Sequence, residues 1–378
     1  MDTRQGLRIA TIRGIPIRIH FTFLLILPLL AYGFGRSFTE AARLAGVPAE
    51  RLSGTPWIWG LAVALALFVS VLIHELAHSL YALSRGGKVR SITLTMIGGV
   101  SELVEEPRTP GQEAVMALVG PLTSLLLGGA CYLLLLASRP LGSFDLSFGL
   151  FLLAQLNAIL GLFNLLPAFP MDGGRILRGL LARRQGHLQA TRIAASVGKV
   201  FAILFVVAGF LDSNFLLMII AFFVYVGAEA EARGAQARAA LGGLTVRDLM
   251  APEGGAVSPD EPLDAVAERM VRERHLALPV AEPGAVLGVV TADAMGRVPP
   301  AERHRVRARD AMIAGAVVGP DEEAARALAA LGEHRSPLLA VVEGGRVVGV
   351  LSQRDILRGI RLREIADSLH RPPSARAA

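Results

Sequence analysis

Six long apolar runs, near residues 19–35, 57–85, 113–137, 147–169, 195–211 and 214–232, constrain this chain more than any other feature. Each is long enough to cross a bilayer, which takes about 20 residues in a helix. Hydrocarbon offers the backbone no water, so such segments fold as helices whose N–H and C=O groups pair internally. The chain has 378 residues, 53% of them hydrophobic and 19% charged, with a mean hydropathy of +0.51. A soluble enzyme of that length has too little interior for so much apolar surface. From residue 244 onward charged residues alternate with short apolar runs, as in a soluble domain. The expected fold is a polytopic α-helical membrane protein of about six transmembrane helices followed by a C-terminal α/β domain.

The basic residues orient the spans, since loops rich in Arg and Lys stay on the cytoplasmic side. Arg4, Arg8, Arg13 and Arg18 precede the first run; Arg85, Lys88, Arg90 and Arg108 follow the second; Arg175, Arg178, Arg183, Arg184 and Arg192 follow the fourth. The opposite side offers only Arg36, Arg43, Arg51 and Arg139. Both termini and the soluble tail are therefore expected in the cytoplasm, with the protein in the cell membrane. No small-x-small cleavage pattern follows the first run, so it is read as a retained span. The net charge of +6 is scattered and forms no nucleic-acid stripe, and the single cysteine, Cys131, excludes an intramolecular disulfide and a cysteine-built metal site.

The second run contains "HELAH", with His74 and His78 one helical turn apart on one face. Ionisable groups are costly in lipid and mark function when they occur there. At this spacing both imidazoles reach a single ion, and Glu75 can hold a water on it without ligating. Zinc suits imidazole and carboxylate donors, and a catalytic site keeps one position open. Two histidines need a third ligand, and the best candidate is Asp172 in "NLLPAFPMDGGR", residues 164–175. Pro167 and Pro170 cannot continue a regular helix, and irregular backbone at membrane depth must line a cavity or be covered by protein. His74 and His78 lie in the inner half of a span running outside to inside, and Asp172 lies at the inner end of another. His78 is about 10 Å of helix from Arg85, so the two ligand sets share a depth. Taken alone, "DGG" is equally a turn.

The tail carries an internal repeat: "VRDLM" at 246–250 matches "ARDAM" at 308–312, "VSPDE" at 257–261 matches "VGPDE" at 318–322, and "LGVVT" at 287–291 matches "VGVLS" at 348–352. This resembles a tandem of CBS modules, with repeats at about 244–300 and 306–362. The resemblance implies that the modules pair through their sheets, bind ATP or another adenine nucleotide, and leave open a homodimer. It places the ribose on a Ser or Thr followed three residues later by Asp, which is Ser352 and Asp355. In the first repeat the acid after Thr291 is Asp293, one position early.

The membrane part, with HExxH in one span and Asn164, Pro167, Pro170, Asp172 and Gly173 in a later one, resembles the site-2 protease family of intramembrane zinc metalloproteases. "GIPIRIHFTF" at 14–23, "GGVSEL" at 98–103 and "EAVMALVGPLTSL" at 113–125 carry the same likeness. With its CBS tail and no room for a PDZ insert, the chain is similar to the subgroup that includes the sporulation sigma-factor processing protease. The resemblance implies one catalytic zinc held by His74, His78 and Asp172, Glu75 as general base, and regulated intramembrane proteolysis. Substrates would be membrane-embedded or membrane-tethered proteins: a single-span anti-sigma factor, a pro-sigma factor or a remnant signal peptide. It also favours a functional amide at Asn164, which could steady a developing oxyanion; Asn157 is equally an interhelical contact.

"VRSITLTMIGGVSEL", residues 89–103, alternates like a strand and turns at its glycines, predicting a small membrane-associated β-hairpin or sheet whose edge could capture an extended substrate. His20 reads as interfacial, His187 as solvated, and Glu102, Glu105, Glu106 and Glu113 as a solvated loop with a helix start. Gly120–Pro121 is expected to bend the third span. The domains expected are a protease domain at 1–232, a linker at 233–243, the tandem at 244–362 and a disordered tail at 363–378. A CBS-regulated transporter or channel is the alternative, and it would string polar residues across several spans rather than gather them at one depth. An inactive scaffold would lack metal.

Overall fold

In the computed structural model, which describes residues 6–48, 55–96, 98–103, 109–252, 256–283, 285–334 and 336–370, the segment before the first apolar run is built of strands. Ile15 and Ile17 alternate with outward residues and are buried, so the expected basic flank is a hairpin of β1 (Leu7–Ile12) and β2 (Ile15–Ile19). The chain divides into two units, Met1–Ala235 and Gln236–Ala378.

In the first unit β2 leads into α1 (Phe21–Leu44) and α2 (Pro56–Ser84), which carry the chain back to β3 (Val89–Thr95). A parallel pair needs such a crossover, and β2 and β3 are parallel, with Ile17 opposite Ile92. β4 (Gly98–Leu103) turns back antiparallel on β3 and ends the sheet, whose order is β1-β2-β3-β4. Ile15, Ile17 and Ile92 pack under Leu72, Leu76 and Leu83 of α2, which seats the sheet on the C-terminal half of that helix.

The remaining elements are α3 (Pro110–Ser138), α4 (Phe144–Asn164), α5 (Asp172–Gln185), α6 (His187–Leu211) and α7 (Phe215–Leu241). Among the described residues six helices are long and apolar enough to cross a membrane: α1, α2, α3 with its short continuation to Leu141, α4, α6 and α7. Helix starts follow local chemistry: Pro56 and Pro110 sit in first turns that need no donor, and Thr109 accepts from the Gln112 N–H. Small residues set the closest approaches, as expected in lipid. A Cβ at Gly60 would lie 2.3 Å from the Ala31 carbonyl oxygen, and one at Gly161 would lie 2.9 Å from that of Pro121.

Several expectations are corrected here. The 171–194 stretch is no loop but contains α5, and Glu113 is not solvated. Glu113 is buried at the start of α3 and accepts from Arg178 Nε of α5 at 2.6 Å. Arg178, only 4% exposed, also has Glu231 of α7 at 3.7 Å and the Phe169 ring 5.0 Å from its guanidinium carbon. His187 begins α6, exposed, 4.0 Å from Glu113. Glu102 lies in β4 rather than in a loop; Arg4, Arg51, Glu105, Glu106 and Arg108 fall outside the described residues. His20, at the start of the first span, is buried within the protein and caps α1 through its ring. Gly120 and Pro121 both lie inside α3.

The second unit holds two similar modules. The first comprises α8 (Val246–Leu249), β5 (Ala251–Pro252), α9 (Leu263–Glu273), β6 (Ala277–Glu282), β7 (Ala285–Thr291) and α10 (Ala292–Gly296). The second comprises α11 (Ala308–Ala311), β8 (Ala316–Val318), α12 (Ala324–His334), β9 (Leu338–Glu343), β10 (Arg346–Ser352) and α13 (Gln353–His370). Each module's opening segment completes the other. β5 pairs with β10, placing Ala251 opposite Val350, while Ile313 bridges to Val289 of β7. Likewise Arg247 N–H donates to the Pro320 carbonyl and Arg309 N–H to that of Pro259. The segment expected as a linker at 233–243 is largely the end of α7, and the expected tail is helical to His370; residues 371–378 lie outside the described residues.

Removing one partner of a buried ion pair strands the other charge. Glu113→Ala is expected to destabilise the protein by about 3–5 kcal/mol, read as a lowered midpoint of thermal unfolding in detergent, whereas Glu40→Ala, at an exposed pair, should leave it unchanged.

Candidate metal centre

The helical repeat places His74 and His78 on the face of α2 that α3 covers, and both are buried. His78 Nδ1 lies 2.7 Å from the Met116 carbonyl oxygen, which can only accept, so the ring donates there and its Nε2 lone pair points inward. His74 Nδ1 meets Ser124 Oγ at 2.9 Å. Met116, Gly120 and Ser124 follow one another at four-residue steps along α3, one face touching both imidazoles. Gly120 is the reason the rings fit: a Cβ there would lie 2.1 Å from His78 Nε2 and 2.8 Å from His74 Nε2.

The third donor arrives from the loop between α4 and α5. Pro167 and Pro170 end α4, Ala168 and Phe169 are fully buried, and Phe169 N–H donates to the Ala194 carbonyl of α6 at 3.3 Å. Gly173 and Gly174 are not a loose turn. They form the first turn of α5 and press against the loop, where a Cβ at Gly173 would stand 2.1 Å from the Leu166 carbonyl oxygen. That contact sets Asp172, at the first position of α5, beside the histidines.

His74 Nε2 and His78 Nε2 are 3.1 Å apart, and Asp172 Oδ2 is 3.2 Å from each. Donor atoms of all three residues lie within 4.8 Å of one another. Three inward-facing acceptors at this distance repel unless a proton or a cation lies among them. A tetrahedral ion with bonds of about 2.0–2.1 Å has ligand–ligand edges of about 3.3 Å. The residues therefore fit zinc in both donor type and spacing.

Glu75 stays out of the cluster. Its Oε2 accepts from Ser101 Oγ of β4 at 2.7 Å, and its stem lies against Gly99. Asn164 is not brought into the cluster either: its Nδ2 donates to the Leu160 carbonyl at 2.9 Å. Asn157 is fully buried and donates to Ser70 Oγ and the Leu153 carbonyl, tying α4 to α2 one turn from His74. Met116, Ser124 and Ser101 were not singled out from the sequence, and Gly99 and Gly120 were read only as a turn and a bend; the four-residue spacing on α3 was the one readable sign.

In the second unit Ser352 Oγ lies 2.6 Å from Asp355 Oδ2, and Ser352 N–H donates to the same oxygen, an N-terminal cap on α13. They border a cleft that also includes His275, Ala277, Leu338, Val350, Arg354 and Arg358, from both modules. In the first module Thr291 Oγ1 accepts from Ala294 N–H and caps α10.

A family model described as peptidase family M50 matches residues 62–145 and 141–208, and one described as the CBS domain matches 246–295 and 308–362. The chain is 33% identical over 368 residues to a zinc metalloprotease of Methanocaldococcus jannaschii, covering 96% of this chain and 98% of that one. It is 30% identical over 141 residues to stage IV sporulation protein FB of Bacillus subtilis, covering 37% of this chain and 47% of the other. Among solved structures, the site-2 protease from Methanocaldococcus jannaschii matches with a TM-score of 0.43 at 36% identity, over 60% of this chain and 95% of that chain.

A methyl group at position 120 has no space beside the imidazoles. Gly120→Ala is expected to weaken zinc binding on the order of tenfold or more, measured by competition with a chromophoric chelator.

Proposed function

The chain belongs to peptidase family M50, is a multi-pass membrane zinc metalloprotease of the site-2 type with a C-terminal CBS tandem, and from that footing we propose that His74, His78 and Asp172 hold its zinc and that Glu75 is its general base. The observation that carries the assignment is the meeting of those three donor atoms at 3.1–3.2 Å from segments far apart in sequence. Bound zinc supplies Lewis acidity for the attack of water on a peptide carbonyl.

The protein's own groups do the rest. Met116 and Ser124 orient the two imidazoles, and Gly120 leaves room for them. Glu75, the neighbour of His74, takes a proton from the attacking water and returns it to the amide nitrogen as the C–N bond breaks. Asn164, at the end of α4, is assigned to the carbonyl oxygen of the bound substrate, exchanging its Leu160 partner to reach it. Among the described residues β4 is the edge strand of its sheet, and an unwound stretch of substrate added alongside it would present an amide in the extended form that hydrolysis requires.

Membrane-embedded and membrane-tethered proteins are the substrates this arrangement suits, with single-span anti-sigma factors, pro-sigma factors and remnant signal peptides as the specific candidates. The arginine-rich segments support a cytoplasmic position for both termini and the tail. In the tail, Ser352 and Asp355 are assigned to the ribose of an adenine nucleotide, and Arg354 and Arg358 on the same cleft supply charge for its phosphates. Thr291 is the corresponding residue of a second, less complete site.

Two measurements test this reading. Glu75→Ala in the purified full-length protein should retain zinc and lose about 10²–10⁴-fold in cleavage of a reporter, a soluble domain fused to a single apolar helix; a variant that cuts normally overturns it. ATP titrated into the full-length protein should give a saturable heat that Asp355→Ala weakens about tenfold or more, and absence of any heat removes the nucleotide site.

A further inference from the structure

Gly99 and Ser101 alternate along β4, so both turn to the face of the strand that meets α2. A Cβ at Gly99 would lie 2.4 Å from Glu75 Cγ and 3.2 Å from Oε1, so the strand backbone rests on the stem of the glutamate. Ser101 Oγ donates to Glu75 Oε2 at 2.7 Å. Ser79, fully buried one turn further along α2, donates its hydroxyl to Ser101 Oγ at 3.3 Å. The Ser101 oxygen thus accepts from Ser79 while its own proton is committed to the carboxylate, and each bond in such a chain polarises the next. A glutamate has three side-chain torsions, and a base that samples them freely meets its proton only part of the time.

We propose that Ser101 is a positioning residue for the hydrolytic step: it fixes Glu75 by one carboxylate oxygen and leaves the other for the attacking water, in space that Gly99 keeps open. The inference rests on the reading of Glu75 as the base. It also ties the base to the sheet edge. Among the described residues β4 is the last strand of its sheet, so a chain lying along its outer side steadies the strand that carries Ser101, and with it the catalytic carboxylate.

Full-length, zinc-loaded protein in detergent is assayed on a reporter made of a soluble domain fused to one apolar helix interrupted by a glycine–proline pair. Ser101→Ala is expected to lower kcat about tenfold or more with KM and zinc affinity unchanged. Ser101→Thr, which keeps the hydroxyl, should recover most of the loss, and Gly99→Ala should lower kcat by displacing the glutamate. Acetohydroxamate, which binds zinc and hydrogen-bonds to a neighbouring carboxylate, should bind more weakly to Ser101→Ala without any change in zinc affinity. A Ser101→Ala protein with wild-type kcat, with a defect in zinc affinity instead, or with no rescue by threonine overturns the proposal. A Glu75→Ala control that still cleaves overturns the reading of the base rather than this inference, so the two failures are told apart.

Discussion

Lone pairs that point at one another inside a lipid-length helix set the terms for everything near them. His74, His78 and Asp172 bring three acceptor atoms to within 3.2 Å of each other, an arrangement that only a shared positive charge stabilises. Water-poor surroundings make an unsatisfied polar group expensive, so each imidazole is also bound at its far nitrogen by α3. The glycine between those two contacts is as necessary as the contacts, because any side chain would occupy the place of the ring. The same logic governs the loop after α4. Two prolines free its backbone from the helix, and buried packing on α6 and on the glycines of α5 replaces what the helix would have supplied.

The helix that carries the aspartate is anchored a turn and a half further on. Arg178 reaches Glu113 of α3, has Glu231 of α7 nearby and lies beside Phe169 of the loop. A buried ion pair adds little net stability compared with apolar packing, but it has few alternative geometries. Here it selects one rotation of α5, and rotation decides whether the carboxylate faces the histidines. The Gly179 backbone, where a Cβ would be 2.5 Å from the Pro110 carbonyl oxygen, brings α5 close enough for that pair to form.

The tail follows a different principle, reciprocity. Each module lends its opening segment to the other, and each repeat has its own apolar core, one around Leu339 and Leu351 and one around Leu278 and Val290. Neither module is complete alone, which explains why the repeat occurs as a pair. The cleft bordered by Ser352 and Asp355 draws its walls from both.

What the sequence determined by itself was whatever depends on local pattern or on hydrocarbon. The spans, the one-turn spacing of His74 and His78, the break at Pro167 and Pro170 and the doubled tail all follow from period, length or repetition. Asp172 was reachable because topology put it at the right depth. Tertiary structure alone decided the remainder. A strand of six residues before α1 has too few alternating positions to announce itself beside a strong apolar run. Glu113 and Arg178 read as solvated charges because their partnership spans 65 residues. Asn164 shares a helical face with Asn157, yet its amide is turned to its own helix. Gly120, Gly99 and Ser101 carry no chemical label at all, and what they do comes only from which atoms other segments bring against them.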